Sequence, residues 1–235
     1  MERTKIFFLP YAGGSSTSYL SWKKFLSPEL EFVPIELSGR GKRFVEPLYN
    51  SILEAIDDIY KIISNDINTP YAIYGHSMGT ILAYELVRKI RDFGRNEPLH
   101  IFFSGRYPPF VDANEEPLSN LPEDIFLEKV FEYGGMSREM LESKELIDIF
   151  LPILKADHRI IEEYDKNREI LKLNCDITVL NGKEDTFVEA DNLKRWTECT
   201  NKKCTLLEFE GDHFFINNHK EKIVDIINST LRNNI

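Results

Sequence analysis

Pro70-Tyr71-Ala72-Ile73-Tyr74-Gly75-His76-Ser77-Met78-Gly79-Thr80-Ile81-Leu82-Ala83 is the stretch whose local structure sets the fold. Residues 71–75 read as a short apolar strand after Pro70, and residues 78–91 as a strong helix that Gly94 can terminate. Between them, Gly75-His76-Ser77-Met78-Gly79 matches G-x-S-x-G, a tight strand-to-helix turn that exposes a nucleophilic serine. The spacing has a physical reason. The serine backbone is strained, so the residues two before and two after must be small, and the following helix aims its positive end at the hydroxyl. A chance match in a chain of this length arises about one time in ten; the strand before and the helix after separate this one from chance.

Outward from that turn, strand-like and helix-like segments alternate. Residues 4–9 read as a strand, and so do 31–37, where Pro34 suits an edge position. Residues 51–64 read as a helix with Ile52, Ile56, Ile59 and Ile63 on one face. Strands follow at 99–104, 177–180 and 204–209, and a last helix near 221–231. This alternation predicts a mostly parallel central sheet with helices on both faces. Residues 107–172 break it. They contain no convincing strand, but helix-like pieces at 123–131, 138–142 and 146–166, separated by Pro122, Gly134-Gly135 and Pro152. With 16 acidic and 8 basic residues, this segment carries −8 of the chain's net −10, and it reads as a helical lid over the strand ends.

The 235 residues suffice for one sizeable core, and a single domain over 1–235 is the simplest organisation. An acidic chain without a long basic run speaks against nucleic-acid binding. No run of about 18 apolar residues exists to span a membrane. The apolar run 5–9 is cut by Pro10 and Gly13-Gly14, unlike a secretory signal. Three cysteines, Cys175, Cys199 and Cys204, read as free thiols, and no Cys/His cluster suggests zinc. A cytoplasmic, monomeric protein is expected.

A serine hydroxyl needs a base. Of five histidines, His76 lies inside the turn, His100 before a strand, His158 in the lid and His219 in the last helical region. His213, in Gly211-Asp212-His213-Phe214-Phe215, follows the last strand and is the expected base. The acid should follow the strand at 177–180. Asp185 is the candidate that can orient the imidazole, and Glu184 is its neighbour and rival. Two backbone N–H donors must hold an oxyanion. The N–H of Met78 is one, and that of Ala12, in Pro10-Tyr11-Ala12-Gly13-Gly14-Ser15, is the other.

Taken together, these segments resemble the type II thioesterases that accompany nonribosomal peptide and polyketide synthetases, which are α/β-hydrolases. The resemblance spans nearly the whole chain. It includes residues 9–15, the serine turn, Phe103-Ser104-Gly105-Arg106, the lid stretch Leu151-Pro152-Ile153-Leu154-Lys155-Ala156-Asp157, and the segments of Asp185 and His213. Two positions depart: Ser38-Gly39-Arg40 stands where the family has Pro-Gly-Arg, which could loosen that loop, and Lys155 stands where it has Arg.

The resemblance implies hydrolysis of acyl groups from the phosphopantetheine arm of carrier proteins through an acyl-Ser77 intermediate. No cofactor or metal is implied, since the arm belongs to the substrate. A medium-chain fatty-acyl releasing thioesterase and a small-molecule carboxylesterase share the same machinery; a hydrolase-like fold retained only for binding is the remaining alternative, and the intact Ser/Asp/His set argues against it. Because carrier proteins of this type tend to be acidic, docking is expected at a local basic patch, Arg40, Lys42 and Arg43.

Overall fold

The inner strand segments bury both faces, and their side chains divide by parity. In β1 (Thr4–Leu9), Ile6 and Phe8 enter one hydrophobic cluster while Phe7 and Leu9 enter another. The same division holds in β3 (Tyr71–His76), with Ala72 and Tyr74 opposite Tyr71 and Ile73. It holds again in β4 (His100–Ser104), with Phe102 opposite Ile101 and Phe103. This is the two-residue period of a sheet covered on both sides. With β2 (Leu30–Pro34), β5 (Asp176–Gly182) and β6 (Cys204–Phe209), these strands form one sheet in the order β2-β1-β3-β4-β5-β6. Every neighbouring pair is parallel. Pro34 sits on the edge strand β2, as its missing N–H predicts. The computed structural model describes residues 3–112, 117–136, 138–164 and 169–232.

One face is covered by α1 (Ile52–Ile63), α2 (Met78–Asp92) and the 190–199 region, which contains α6 (Ala190–Lys194). The other is covered by α7 (Lys220–Arg232) and a 3-10 helix at Ser16–Phe25 that hydrophobic periodicity does not reveal. That helix starts on a reciprocal Ser15/Ser18 capping box and brings Tyr19 and Trp22 against Phe8 and Tyr74. Trp196 stacks on Phe103 at 3.9 Å and donates its indole N–H to the Arg106 carbonyl at 2.9 Å, which fixes the end of β4.

The insertion after β4 holds α3 (Glu123–Glu132), α4 (Arg138–Glu142) and α5 (Lys144–Glu162), with a small core of its own around Leu118, Phe126, Val130, Leu151 and Leu154. Residues 113–116, 137 and 165–168 of the expected 107–172 segment lie outside the described residues. Pro152 does not separate two helical pieces: α5 runs through it. Its ring sits on the exposed side, so the carbonyl left without an N–H donor lies on the solvent side of the helix. The helix also ends at Glu162, short of the expected 166. His219 is likewise not within the last helix, but immediately before α7.

Replacing Trp196 by Ala is expected to lower the free energy of unfolding by about 3–5 kcal/mol, since the fully buried indole leaves a cavity against Phe103. Urea denaturation measures it, and a loss under about 1 kcal/mol would show that the stack contributes little.

Candidate active site

The turn at Ser77 is made by two absent side chains. A Cβ on Gly75 would lie 2.1 Å from the Gly79 carbonyl oxygen, and one on Gly79 would lie 2.4 Å from that of Leu9. The start of α2 can therefore press directly on the ends of β1 and β3. Ser77 is forced to φ 53° and ψ −115°, and it is the one non-glycine residue at positive φ among those described. Such a conformation costs on the order of 1–3 kcal/mol and persists only where its surroundings impose it. Here the Ser77 N–H donates to the Ser104 carbonyl at 2.8 Å. The Thr80 hydroxyl reaches the carbonyls of Gly75 and Ser104, each at 3.1 Å. Ser77 is the N-cap of α2, yet its hydroxyl makes no capping bond.

That hydroxyl faces His213 Nε2 at 3.0 Å, and His213 Nδ1 faces Asp185 Oδ2 at 2.8 Å. The three residues come from the loops after β3, β5 and β6, all at the carboxyl ends of parallel strands. The Asp185 carboxylate is fully buried, and its Oδ1 accepts the Phe187 N–H at 3.0 Å, which sets its angle toward the imidazole. Glu184, the rival, is exposed and accepts the Gly211 N–H instead. The remaining histidines are placed elsewhere. His100 pairs with Thr178 at 2.9 Å and is pushed down to about 4 by burial. His219 bonds the Glu210 carbonyl at 2.8 Å. His158 lines the cavity wall against Phe126. His76 is fully buried, with Nδ1 2.9 Å from the Ser104 hydroxyl and its ring 5.1 Å from that of His213. Burial first, and His213 second, hold it well below the usual histidine range, so it stays neutral.

Above Ser77 lies a cavity of about 360 Å³ between the sheet and the insertion. Tyr11, Ala12, Tyr133, Leu154, Phe187 and Phe214 are among its walls. Its size and largely apolar lining suit a small organic group with a few polar contacts. Ala12 is on the wall beside Ser77, and Met78 opens α2 directly after it. Among the described residues neither the Ala12 nor the Met78 N–H has a hydrogen-bond partner. The described residues contain no cluster of His, Cys, Asp and Glu suited to a metal ion, and no helix long and apolar enough to cross a membrane. Burial pushes the thiols of Cys175 and Cys199 up to about 12 and that of Cys204 up to about 11.

The basic patch expected at 40–43 is not a patch. Arg40 is 3% exposed and forms a two-pronged ion pair with Asp157 of α5, at 2.6 and 2.8 Å. Arg43 is bound by Glu46 and by Asp58, the latter at 2.6 and 3.1 Å. Of the three, Lys42 alone is exposed and without a partner among the described residues. Arg40 is thus neutralised inside the protein and Arg43 by carboxylates nearer the surface, so the three do not form the free basic patch that was expected. Nor does Ser38 loosen this loop. Its N–H donates to the Tyr49 hydroxyl at 3.0 Å, a bond proline cannot make, and its hydroxyl donates to the Pro47 carbonyl at 2.6 Å. Lys155 donates to the Leu121 carbonyl at 3.2 Å, tying α5 to the segment before α3. The lid stretch containing Asp157 was visible in the sequence, but its partner was not, because 117 residues separate the two.

A parallel sheet that presents a strained serine from its third strand, with a histidine and a carboxylate on later loops, is the architecture of an α/β-hydrolase. Within that class the chain belongs to the thioesterase family: residues 4–231 match the family described as Thioesterase domain. It is similar to ClbQ, from the colibactin NRPS/PKS pathway, whose crystal structure superposes with a TM-score of 0.94 at 36% identity, covering 99% of this chain and 98% of that one. The gramicidin S biosynthesis protein GrsT of Aneurinibacillus migulanus is 32% identical over 98% of this chain and 90% of its own length. The medium-chain S-acyl fatty acid synthase thioesterase of Rattus norvegicus is 30% identical over 90% of this chain and 81% of its own.

Charge reversal at Arg40 leaves Asp157 buried against a like charge. Arg40→Glu is expected to cost about 3–5 kcal/mol or to prevent folding, while Lys42→Glu stays within ~0.5 kcal/mol of the parent. Urea midpoints of the two variants check this, and equal stabilities would contradict the burial of Arg40.

Proposed function

We propose that the chain hydrolyses acyl thioesters from the phosphopantetheine arm of carrier proteins and serves an editing role beside a nonribosomal peptide or polyketide synthetase. Ser77 attacks the thioester carbonyl while His213 takes its proton, and Asp185 holds the imidazole tautomer and stabilises the imidazolium. The N–H groups of Ala12 and Met78 hold the oxyanion, aided by the positive end of α2. The thiol leaves with the proton from His213; water activated by the same imidazole then hydrolyses acyl-Ser77. These steps call for no metal or resident cofactor. The observation that carries this assignment is the continuous relay from the strained Ser77 through His213 to buried Asp185, at 3.0 and 2.8 Å, opening onto the cavity under the insertion. The substrate class is supported by the likeness to ClbQ and GrsT. A cytoplasmic site of action follows from that substrate class.

One alternative has support of its own. The likeness to the medium-chain fatty acid synthase thioesterase and the apolar cavity walls favour release of medium-chain fatty acids. Hydrolysis rates for a series of acyl groups on a single carrier protein separate the two. An editing enzyme accepts short and varied groups, whereas a releasing enzyme has a sharp optimum at medium chain length.

Ser77→Ala and His213→Ala are each expected to lower kcat by several orders of magnitude with the fold retained, and Asp185→Asn by about 10²–10⁴-fold. Glu184→Gln, His158→Ala and His219→Ala should be mild. A Ser77→Ala enzyme with more than about a tenth of parental turnover, ~1.4 kcal/mol in barrier, would remove the assignment. So would a Ser77 that does not react with a fluorophosphonate, which would point to a binding protein.

The pH profile gives a separate check. His76 is held neutral, so it adds no ionisation of its own beside Ser77 as pH falls. The acidic limb of kcat/KM should therefore follow one ionisation. A limb steep enough to need two protons would mean that His76 titrates as well.

A further inference from the structure

The buried pair of Arg40 and Asp157 does more than join two segments. Two charges held away from water carry a desolvation penalty that an apolar pair of the same volume avoids, so the pair is weak grounds for stability alone. Apart from Arg40 Nε, which donates to the Ser38 carbonyl at 3.4 Å, its further contacts fall on one short piece of backbone. Asp157 Oδ2, which accepts Arg40 Nη1, also accepts the Gly13 N–H at 2.7 Å. Arg40 Nη1 in turn donates to the Gly14 carbonyl at 3.2 Å. The ion pair thus holds an N–H and a C=O of consecutive residues at once.

Those residues complete a turn. The Gly14 N–H donates to the Tyr11 carbonyl at 2.8 Å, and Gly13, the third residue of the turn, has φ +75°, as a type II turn requires. The Tyr11 carbonyl and the Ala12 N–H belong to one planar trans peptide, so they point in opposite directions. Fixing the carbonyl toward Gly14 fixes the N–H away from it. On α5, three residues before Asp157, Leu154 Cδ2 stands 2.5 Å from where a Cβ on Gly13 would be. Past the turn, Glu36 accepts the Ser16 N–H at 3.0 Å and its hydroxyl at 2.7 Å. Residues 13–16 are therefore held from both ends by buried carboxylates.

We propose that Arg40 and Asp157 are positioning residues for the oxyanion hole: together they hold the Tyr11–Gly14 turn in the one conformation that presents the Ala12 N–H to the reacting carbonyl. This rests on the assignment of Ala12 as an oxyanion donor made above. Neither side chain meets the substrate. Their effect is felt where negative charge develops on the carbonyl oxygen, and not when the acyl group first binds.

The test uses the full chain and an acyl-pantetheine, which removes carrier docking from the measurement. Two variants are compared, Asp157→Asn and the charge-free double substitution Arg40→Met with Asp157→Leu. The double variant leaves no unpaired charge and is expected to fold, as judged by circular dichroism and its urea midpoint. In both, kcat should fall about 10–100-fold with KM within about twofold. Affinity for an acyl trifluoromethyl ketone, which adds to Ser77 and places an oxyanion in the hole, should fall by a similar factor. Affinity for the unreactive thioether analogue should be unchanged.

Ile227→Ala, in α7 on the opposite face of the sheet, provides a destabilised control with parental kcat. A folded double variant with kcat within twofold of the parent overturns the proposal. So does an equal loss for ketone and thioether, which would mean that the pair merely shapes the cavity, and so does a comparable loss of kcat in Ile227→Ala. A Ser77→Ala enzyme that keeps its activity, or a parent that does not bind the ketone, overturns the thioesterase assignment itself and this proposal with it.

Discussion

A backbone contact that leaves no room for a side chain governs this molecule. The Leu9 carbonyl at the end of β1 lies against Gly79, and the Gly79 carbonyl lies against Gly75. Because these atoms touch, α2 begins at the very end of the sheet, and the single residue between strand and helix must take a conformation that L-residues avoid. The strain is distributed over ordinary bonds: Ser77 to β4 through its N–H, and Thr80 to β3 and β4 through its hydroxyl. Parallel strands then do the remaining work. All six run the same way, so the loops after β3, β5 and β6 open on one side and bring residues 77, 185 and 213 within hydrogen-bond reach.

Much of this was legible in the sequence because it depends on short-range pattern. The strand-turn-helix around Ser77, the strand alternation and the placing of Pro34 at an edge all follow from periodicity and from what glycine and proline permit. The choice of His213 and Asp185 followed from chain order, since each should stand just after a strand. What was illegible depended on tertiary partners. Arg40, Lys42 and Arg43 look like a basic surface when read in a row; their distribution between Asp157, the pair Glu46 and Asp58, and solvent is a property of the folded chain. The 3-10 helix at Ser16–Phe25 lacks a 3.6-residue apolar stripe and is built on caps and on Tyr19 and Trp22 finding the sheet. Pro152 is usually a reason to end a helix, but α5 tolerates it where its open carbonyl faces outward.

The insertion is more closely coupled to the sheet than a loose cover would be. Asp157 reaches the turn before the first 3-10 helix, Lys155 bonds the Leu121 carbonyl, and Glu162 accepts the N–H groups of Leu118 and Ser119. Helix α5 therefore belongs to the same framework as the serine turn, while α3 and α4 share a small core that meets it from outside. Any change in the cavity that displaces α5 is transmitted to residues 11–14, so acyl size and catalytic geometry are not independent variables in this fold.

The three cysteines bear on chemoselectivity. A protein that handles activated thioesters is exposed to transthioesterification, in which one of its own thiolates captures the acyl group and holds it. With their pKa values pushed up by burial to about 11 and 12, no more than roughly one in ten thousand of these thiols is ionised near neutral pH. Cys175 and Cys199 are also sealed within the same apolar layer that supports α2. None of the three is among the residues that line the cavity, so an acyl group entering it is not diverted onto a sulfur from which it would have to be recovered.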